Sequence, residues 1–293
     1  MPMNRCCVMS MGMIAVMMLL LPGLTAQADE PAAYKKMPWH LVDLWWDLGR
    51  DRDFVSYRID FEIKGKLGDD LDPAIKLYIA PIGIANFDGQ KFYGGVQTQL
   101  GRAHKRGDRQ WRHGLGRGAI FSCWGERSLD AVRTADEGVC ESGGYEGDFI
   151  SVRRPLRWGP GKYTYELLRM DTEQVDGKDY TWVGCFVHDH QTDDHAFIGA
   201  LRFEGDDLEL DDKTASFVEI YGAAIDPDRI PVLTVTFSNI RINGEAVEPR
   251  DCRAVYPRGV PDYAKATAGA DKSVTIEVGR RIDDRKRRDD KLF

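Results

Sequence analysis

The stretch Phe54–Ile63 reads FVSYRIDFEI, and its second half alternates strictly between apolar and polar side chains. In an extended chain, residues two apart lie on the same side. One face therefore carries four apolar side chains, those of Tyr57, Ile59, Phe61 and Ile63. This alternation predicts a β-strand with one face in a hydrophobic core.

Similar patterns recur along the chain, separated by turn-rich intervals and without a convincing amphipathic helix. Further strands are predicted at residues 74–84, 91–100, 119–124, 163–170, 180–190, 197–203, 214–221 and 232–242. Pro81 predicts an edge position or a bulge, and Asn243-Gly244 predicts a tight turn. Residues 37–48 (MPWHLVDLWWDL) either pack across a sheet or start the first strand. The pattern indicates an all-β fold, an antiparallel jelly-roll-like β-sandwich, rather than a parallel α/β sheet.

The composition is that of a globular protein, with 43% hydrophobic and 30% charged residues in 293. It excludes global disorder and a multi-span membrane protein. Asp and Glu number 47 against 40 Lys and Arg, a net charge of −7. An acidic chain is a poor ligand for a phosphate backbone, so no nucleic-acid partner is expected.

Residues 1–28 have the three parts of a signal peptide. Arg5 precedes the apolar run Val8–Leu21, and Ala26-Gln27-Ala28 places small residues before Asp29. The sequence therefore predicts export to the periplasm or the extracellular space, with no transmembrane span after signal removal. An uncleaved N-terminal anchor is the alternative.

The remainder is predicted to form one β-sandwich domain, residues 29–279, followed by a charged tail, residues 280–293. The tail reads RRIDDRKRRDDKLF, with very little apolar content, which is typical of a disordered segment.

Four cysteines follow the predicted signal: Cys123, Cys140, Cys185 and Cys252. An even number in an exported chain predicts two disulfides, with three pairings open. A Cys123–Cys140 bond would close a polar loop, which leaves Cys185 to pair with Cys252. Four buried thiols are the alternative.

The middle of the chain carries a series of short motifs in a familiar order. They are FYGGVQT (92–98), GAIFSCW (118–124), GGYEG (143–147), WGPGKYTY (158–165), Ile198-Gly199 and FVEIYG (217–222). In this order they resemble domain-of-unknown-function family 3472 over roughly residues 57–242. The resemblance implies a secreted β-sandwich, often in a glycan-handling setting, but no defined activity. Tyr145 inside the glycine turn and the basic insertion Arg102–Arg117 depart from the family pattern.

The run HDHQTDDH (188–195) is the best candidate metal site. On a strand His188 and His190 point to the same side, and His195 or a nearby carboxylate can complete a zinc site. A calcium site built from Asp189, Asp193 and Asp194 is an alternative, as is a plain polar hairpin tip. No cofactor is required by the sequence.

Two carboxylates are candidates for general acid–base catalysis, Glu146 in the glycine turn and Glu219 in an apolar strand. Partial burial of Glu219 would raise its pKa toward acid catalysis. Alternatively, its strand neighbours face the core and Glu219 points to water.

Aromatic residues beside turns are candidates for stacking on sugar rings, namely Trp124, Tyr145 and Trp158, with Tyr180 and Trp182 nearby. Glu146 would then bind the sugar hydroxyls. We therefore expect a secreted protein that binds carbohydrate, with a glycan or polysaccharide as its partner. The alternatives are a polysaccharide hydrolase or lyase on the same scaffold, and a structural or adhesion module of the cell envelope.

Overall fold

The alternating segment around Tyr57 forms the strand Ser56–Gly65, and its four alternating apolar residues are all buried. The computed structural model describes residues 34–68, 71–101, 115–144, 147–283, 285 and 287–293. Tyr34–Phe293 is one compact unit. The predicted signal peptide lies outside the described residues. No helix in the described part of the chain is long and apolar enough to cross a membrane.

The described strands form two antiparallel sheets, which confirms the all-β sandwich; the jelly-roll connectivity stays a prediction. The larger sheet has eleven described strands. They are β1 (Trp39–Asp47), β2 (Arg52–Asp53), β4 (Lys76–Phe87), β5 (Gln90–Gln97), β6 (Gly118–Trp124), β8 (Val139–Gly143), β9 (Phe149–Pro155), β13 (Glu209–Leu210), β14 (Lys213–Tyr221), β17 (Asp251–Val255) and β20 (Asp289–Lys291). Their main order is β20-β17-β1-β14-β4-β5-β6-β9-β8, with β13 beside β4 and β2 beside β13.

The smaller sheet has nine strands within the described ranges. They are β3 (Ser56–Gly65), β7 (Val132–Thr134), β10 (Gly161–Val175), β11 (Lys178–Asp189), β12 (Asp194–Glu204), β15 (Leu233–Ile242), β16 (Glu245–Ala246), β18 (Ala264–Ala268) and β19 (Val274–Val278). Their order is β18-β19-β15-β3-β10-β11-β12-β7, with β16 beside β15. Two single-turn 3₁₀ helices, Leu129–Ala131 and Pro227–Arg229, connect strands.

The core lies between the inner faces of the two sheets, and one tyrosine bridges it with a polar contact. The Tyr165 hydroxyl on β10 donates to the Ile120 carbonyl on β6, at 2.7 Å. A Cβ added to Gly94 on β5 would lie 1.9 Å from that hydroxyl oxygen. Glycine at position 94 therefore leaves room for the bridge.

Pro81 lies in the middle of the larger sheet, where the pairing of β4 with both neighbours shifts register. A proline cannot donate a ladder hydrogen bond, so an interior position is tolerated at a bulge. The Pro81 carbonyl oxygen accepts a hydrogen bond from Ser216 Oγ, at 2.6 Å. The bulge alternative is thus confirmed.

The C-terminal segment is ordered where it is described, and the prediction of a disordered tail from residue 280 was wrong there. Strand β20 pairs with β17, and Leu292 and Phe293 pack against the core. Arg285 Nε donates to Asp262 Oδ1 at 3.1 Å. Arg285, Arg288 and Lys291 have acidic partners in the fold, and the two apolar residues at the end anchor the segment.

Candidate functional site

Trp124 is the last residue of β6 and lies on the outer face of the larger sheet. Phe121 and Cys123 of the same strand face the core, so alternation directs Ser122 and Trp124 outward. Trp124 lines a groove of about 690 Å³ at one end of the sandwich, between the β4–β5 turn and the end of β12. The predicted placement of Trp124 near the surface is consistent with its partial burial.

The groove has an aromatic side chain from each sheet and a mixed polar lining. Tyr180 of the smaller sheet also lines it, and the Arg202 guanidinium carbon lies 4.5 Å from the Tyr180 ring centroid. Gln90 joins the sheets beside it, because its amide donates to the Glu204 carbonyl at 2.8 Å and accepts from the Glu204 N–H at 2.9 Å. Lys91 and Glu126 also line the groove.

An outer aromatic row crosses five strands of the larger sheet and begins at Trp124. It consists of Trp124, Tyr93, Tyr78, Phe217 and His40, whose successive ring centroids lie 4.6, 6.5, 5.2 and 4.5 Å apart. Tyr78 and Phe217 are buried, whereas Trp124, Tyr93 and His40 are half-buried. Accessible ring surface therefore lies at Trp124 and Tyr93 on one side of the buried pair and at His40 on the other.

Glu219 lies at the His40 end of this row. The neighbours Val218 and Ile220 face the core, as the sequence suggested, but Glu219 is only 9% exposed and does not point freely to water. Its Oε2 lies 3.4 Å from His40 Nε2, while His40 Nδ1 lies 2.7 Å from Asp43 Oδ1. Burial lowers the pKa of His40, but the hydrogen bond to Asp43 and the negative charge of Glu219 outweigh it, so the pKa is raised.

A buried ion pair lies on the same outer face, two strands beyond Tyr93. Arg153 on β9 contacts Glu141 on β8, and both side chains are more than nine-tenths buried. Sequence reasoning missed this pair, as well as Tyr78 and Tyr93. Arg153 could have indicated such a pair, because a charged residue inside an apolar strand commonly has a buried partner.

Trp158 is largely buried and belongs to the core. Its side chain is 4% exposed, and its indole N–H donates to the Gln97 carbonyl at 3.1 Å. Arg117 Nη1 donates to the Trp158 carbonyl at 2.6 Å. Trp158 also lines a groove of about 440 Å³ together with Arg117 and Leu156, so its role in sugar stacking stays a prediction. Trp182, also noted as a turn aromatic, is buried too.

Tyr145 and Glu146 lie outside the described residues, so their proposed contacts with a glycan stay predictions. The ends of the strands on either side of them lie beside Trp124, because Gly143 pairs with Phe149, and Phe149 pairs with Trp124.

The structure brings His188 and His195 together at the tip of the β11–β12 hairpin, with Asp193 beside them. The third predicted ligand, His190, has a different polar partner. Its Nε2 lies 2.8 Å from Thr164 Oγ1, while its ring centroid lies 4.3 Å from that of His188.

Neither predicted disulfide is present among the described residues. Cys123 is on β6 and Cys140 on β8, with β9 between them. Two strand spacings are more than about 9 Å, beyond the roughly 7 Å that a disulfide spans. Cys185 and Cys252 are in different sheets. The cysteines therefore give no support to an oxidising compartment, and the export prediction rests on residues 1–28.

In comparisons with known proteins, no family model and no curated protein matches this chain. The resemblance to domain-of-unknown-function family 3472 accordingly stays a prediction.

Proposed function

We propose that this protein is exported and binds an extended carbohydrate in the groove between Trp124 and Tyr180. The observation that carries the proposal is the placement of one aromatic ring from each sheet along a groove of about 690 Å³. Small-molecule sites commonly have volumes of about 300–1,000 Å³. Sugar rings present C–H faces that stack on flat aromatic surfaces.

Polar groups around these rings match the hydroxyl groups of a sugar. Lys91, Glu126 and Arg202 line the groove and offer both donors and acceptors. The periplasmic or extracellular location belongs to the same proposal and rests on the signal-like residues 1–28.

A glycan array followed by titration of any bound glycan tests the proposal. Each stacking contact should contribute about 1 kcal/mol, so Trp124→Ala and Tyr180→Ala should each weaken binding about fivefold. Trp45→Ala is the matched control, since Trp45 is 38% exposed on the outer face of β1 and lies outside the groove. The proposal fails if no glycan binds, or if folded Trp124→Ala binds like the wild type.

A second candidate function is depolymerisation of a polysaccharide that extends beyond the groove along the aromatic row to the buried carboxylate of Glu219. Nearby, the Tyr78 hydroxyl has no hydrogen-bond partner within the described residues. Burial raises the pKa of Tyr78 well above its ordinary value, and neighbouring Tyr93 and Glu219 raise it further. Tyr78 therefore stays protonated and can donate a hydrogen bond, which leaves Glu219 as the candidate for acid–base catalysis.

Glu219→Gln separates the two functions. If the wild type cleaves a glycan, and Glu219→Gln binds that glycan without cleaving it, the protein is an enzyme. If the wild type binds a glycan without cleaving it, the protein is a carbohydrate-binding protein and not a hydrolase or lyase of that glycan. A protein that neither binds nor cleaves any glycan would favour the structural or adhesion module.

A further inference from the structure

The tip of the β11–β12 hairpin carries two stacked imidazoles. His188 and His195 pair directly across the two strands, and their ring centroids lie 3.8 Å apart with planes inclined by 12°. Both residues belong to regular paired strands, since β11 also pairs with β10 along its whole length. The sheet therefore fixes the backbone positions of both histidines, and their rings already lie side by side.

Asp193, the last residue of the turn, supplies a carboxylate to the same point. Its Oδ1 lies 2.9 Å from His188 Nε2 and 4.0 Å from His195 Nε2. One potential ligand atom from each of the three residues lies within 4.8 Å of the other two. Two nitrogens and one oxygen thus converge on a single position beside the hairpin.

We propose that His188, Asp193 and His195 together bind one divalent transition-metal ion, with Zn²⁺ as the best match. Zinc sites with three protein ligands place a water in the fourth, tetrahedral position. With metal–ligand bonds of 2.0–2.1 Å, neighbouring ligand atoms lie about 3.3 Å apart. The two histidine–carboxylate distances differ from this by less than about 1 Å.

Small side-chain rotations can close that difference, because Asp193 and His195 are 88% and 57% exposed. The ligand chemistry also selects the metal. Imidazole nitrogen suits zinc, copper and nickel, whereas calcium takes oxygen ligands almost exclusively. A calcium site would moreover need Asp189, whose Oδ1 already accepts from the Gln191 N–H at 2.8 Å.

This site is independent of the carbohydrate groove. Tyr180 lies near the other end of β11, eight residues from His188, which is about 26 Å along an extended strand. An ion bound at the hairpin tip would therefore not contact a sugar in the groove, and each proposal can fail without the other.

Isothermal titration of the metal-free protein with ZnCl₂ tests the assignment, and the visible absorption of the Co²⁺ form reports the geometry. We expect one ion per chain with micromolar affinity and a tetrahedral Co²⁺ spectrum. His188→Ala and His195→Ala should each weaken binding at least about tenfold, the usual cost of losing a ligand interaction. Asp193→Asn should weaken it by a smaller factor.

Two further variants serve as controls. His40→Gln removes an imidazole from the larger sheet and should bind zinc like the wild type. His190→Ala should also keep full affinity, since Thr164 is its partner. The proposal is overturned if wild-type protein binds no zinc below about 1 mM, if the folded His188→Ala and His195→Ala variants bind normally, or if His190→Ala loses as much affinity as His195→Ala.

Discussion

His40 Nδ1 lies 2.7 Å from Asp43 Oδ1, three residues away on the same strand, and Glu219 faces the other ring nitrogen from the neighbouring strand. Burial lowers the pKa of His40, but the two carboxylates raise it more. A histidine with a raised pKa stabilises the folded protein fully below about pH 6.5 and loses that contribution as the pH rises through its folded pKa.

We therefore predict that His40→Gln lowers the free energy of unfolding by about 1 kcal/mol more at pH 6 than at pH 9. NMR titration should place the pKa of His40 above 6.5 in the wild type and lower in Asp43→Asn. Asp47→Asn, a change on the same strand at a residue paired with Lys213, should leave the pKa of His40 unchanged. A His40 pKa below 6.5 in the wild type would contradict the prediction.

The buried pair of Arg153 and Glu141 should be costly to break. Arg153→Met leaves the Glu141 carboxylate without this partner in a site more than nine-tenths buried, so we expect a loss of about 3–5 kcal/mol. The double variant Arg153→Met/Glu141→Leu should recover much of that loss, because no unpaired charge remains. Urea denaturation of the wild type, the single variants Arg153→Met and Glu141→Leu, and the double variant measures the coupling, and additive single effects would refute it.

The cysteines should titrate as four thiols in denatured, unreduced protein that begins at Asp29. In the native state Cys140 should react first, because it is half-buried while the other three are buried. Burial raises the pKa of Cys123 to about 12, so little of the reactive thiolate forms at neutral pH. Thiol counting with and without denaturant checks both statements. A count of zero after denaturation would show that the two predicted disulfides form.

The C-terminal residues should contribute to stability. Phe293 packs against the core with its ring centroid 6.5 Å from that of Trp46, and Lys272 Nζ lies 5.5 Å from the Phe293 centroid. Phe293→Ala should lower the free energy of unfolding by about 1–2 kcal/mol, the value of a partly buried aromatic ring. Val55→Ala, at a residue 51% exposed, is the control and should cost under about 0.5 kcal/mol. Equal denaturation midpoints for the two variants would contradict the anchoring of the tail.

Export should remove the first 28 residues, because Ala26 and Ala28 match the small side chains that signal peptidase requires. Intact-mass measurement of secreted protein should therefore give an N-terminus at Asp29. Secreted material that still carries residues 1–28 would contradict this prediction and favour the uncleaved anchor.

The sequence by itself determined the fold class and most of the long strands, since period-two alternation records which side chains a sheet buries. The strand around Phe61 and the turn at Asn243-Gly244 follow from local patterns, whereas the choice between an edge and a bulge at Pro81 needed the strand order. Local sequence also identified Trp124 as an outward-facing residue at the end of a strand.

What the sequence could not supply was the neighbour that each side chain meets across the sheet or between the sheets. Only the tertiary structure separated Cys123 from Cys140 by a strand and brought His40 beside Glu219, whose positions are 179 apart in the chain. It also placed Trp158 in the core. The physical reason is that strand order and register depend on the packing of all strands together, while alternation reports only which face each residue occupies.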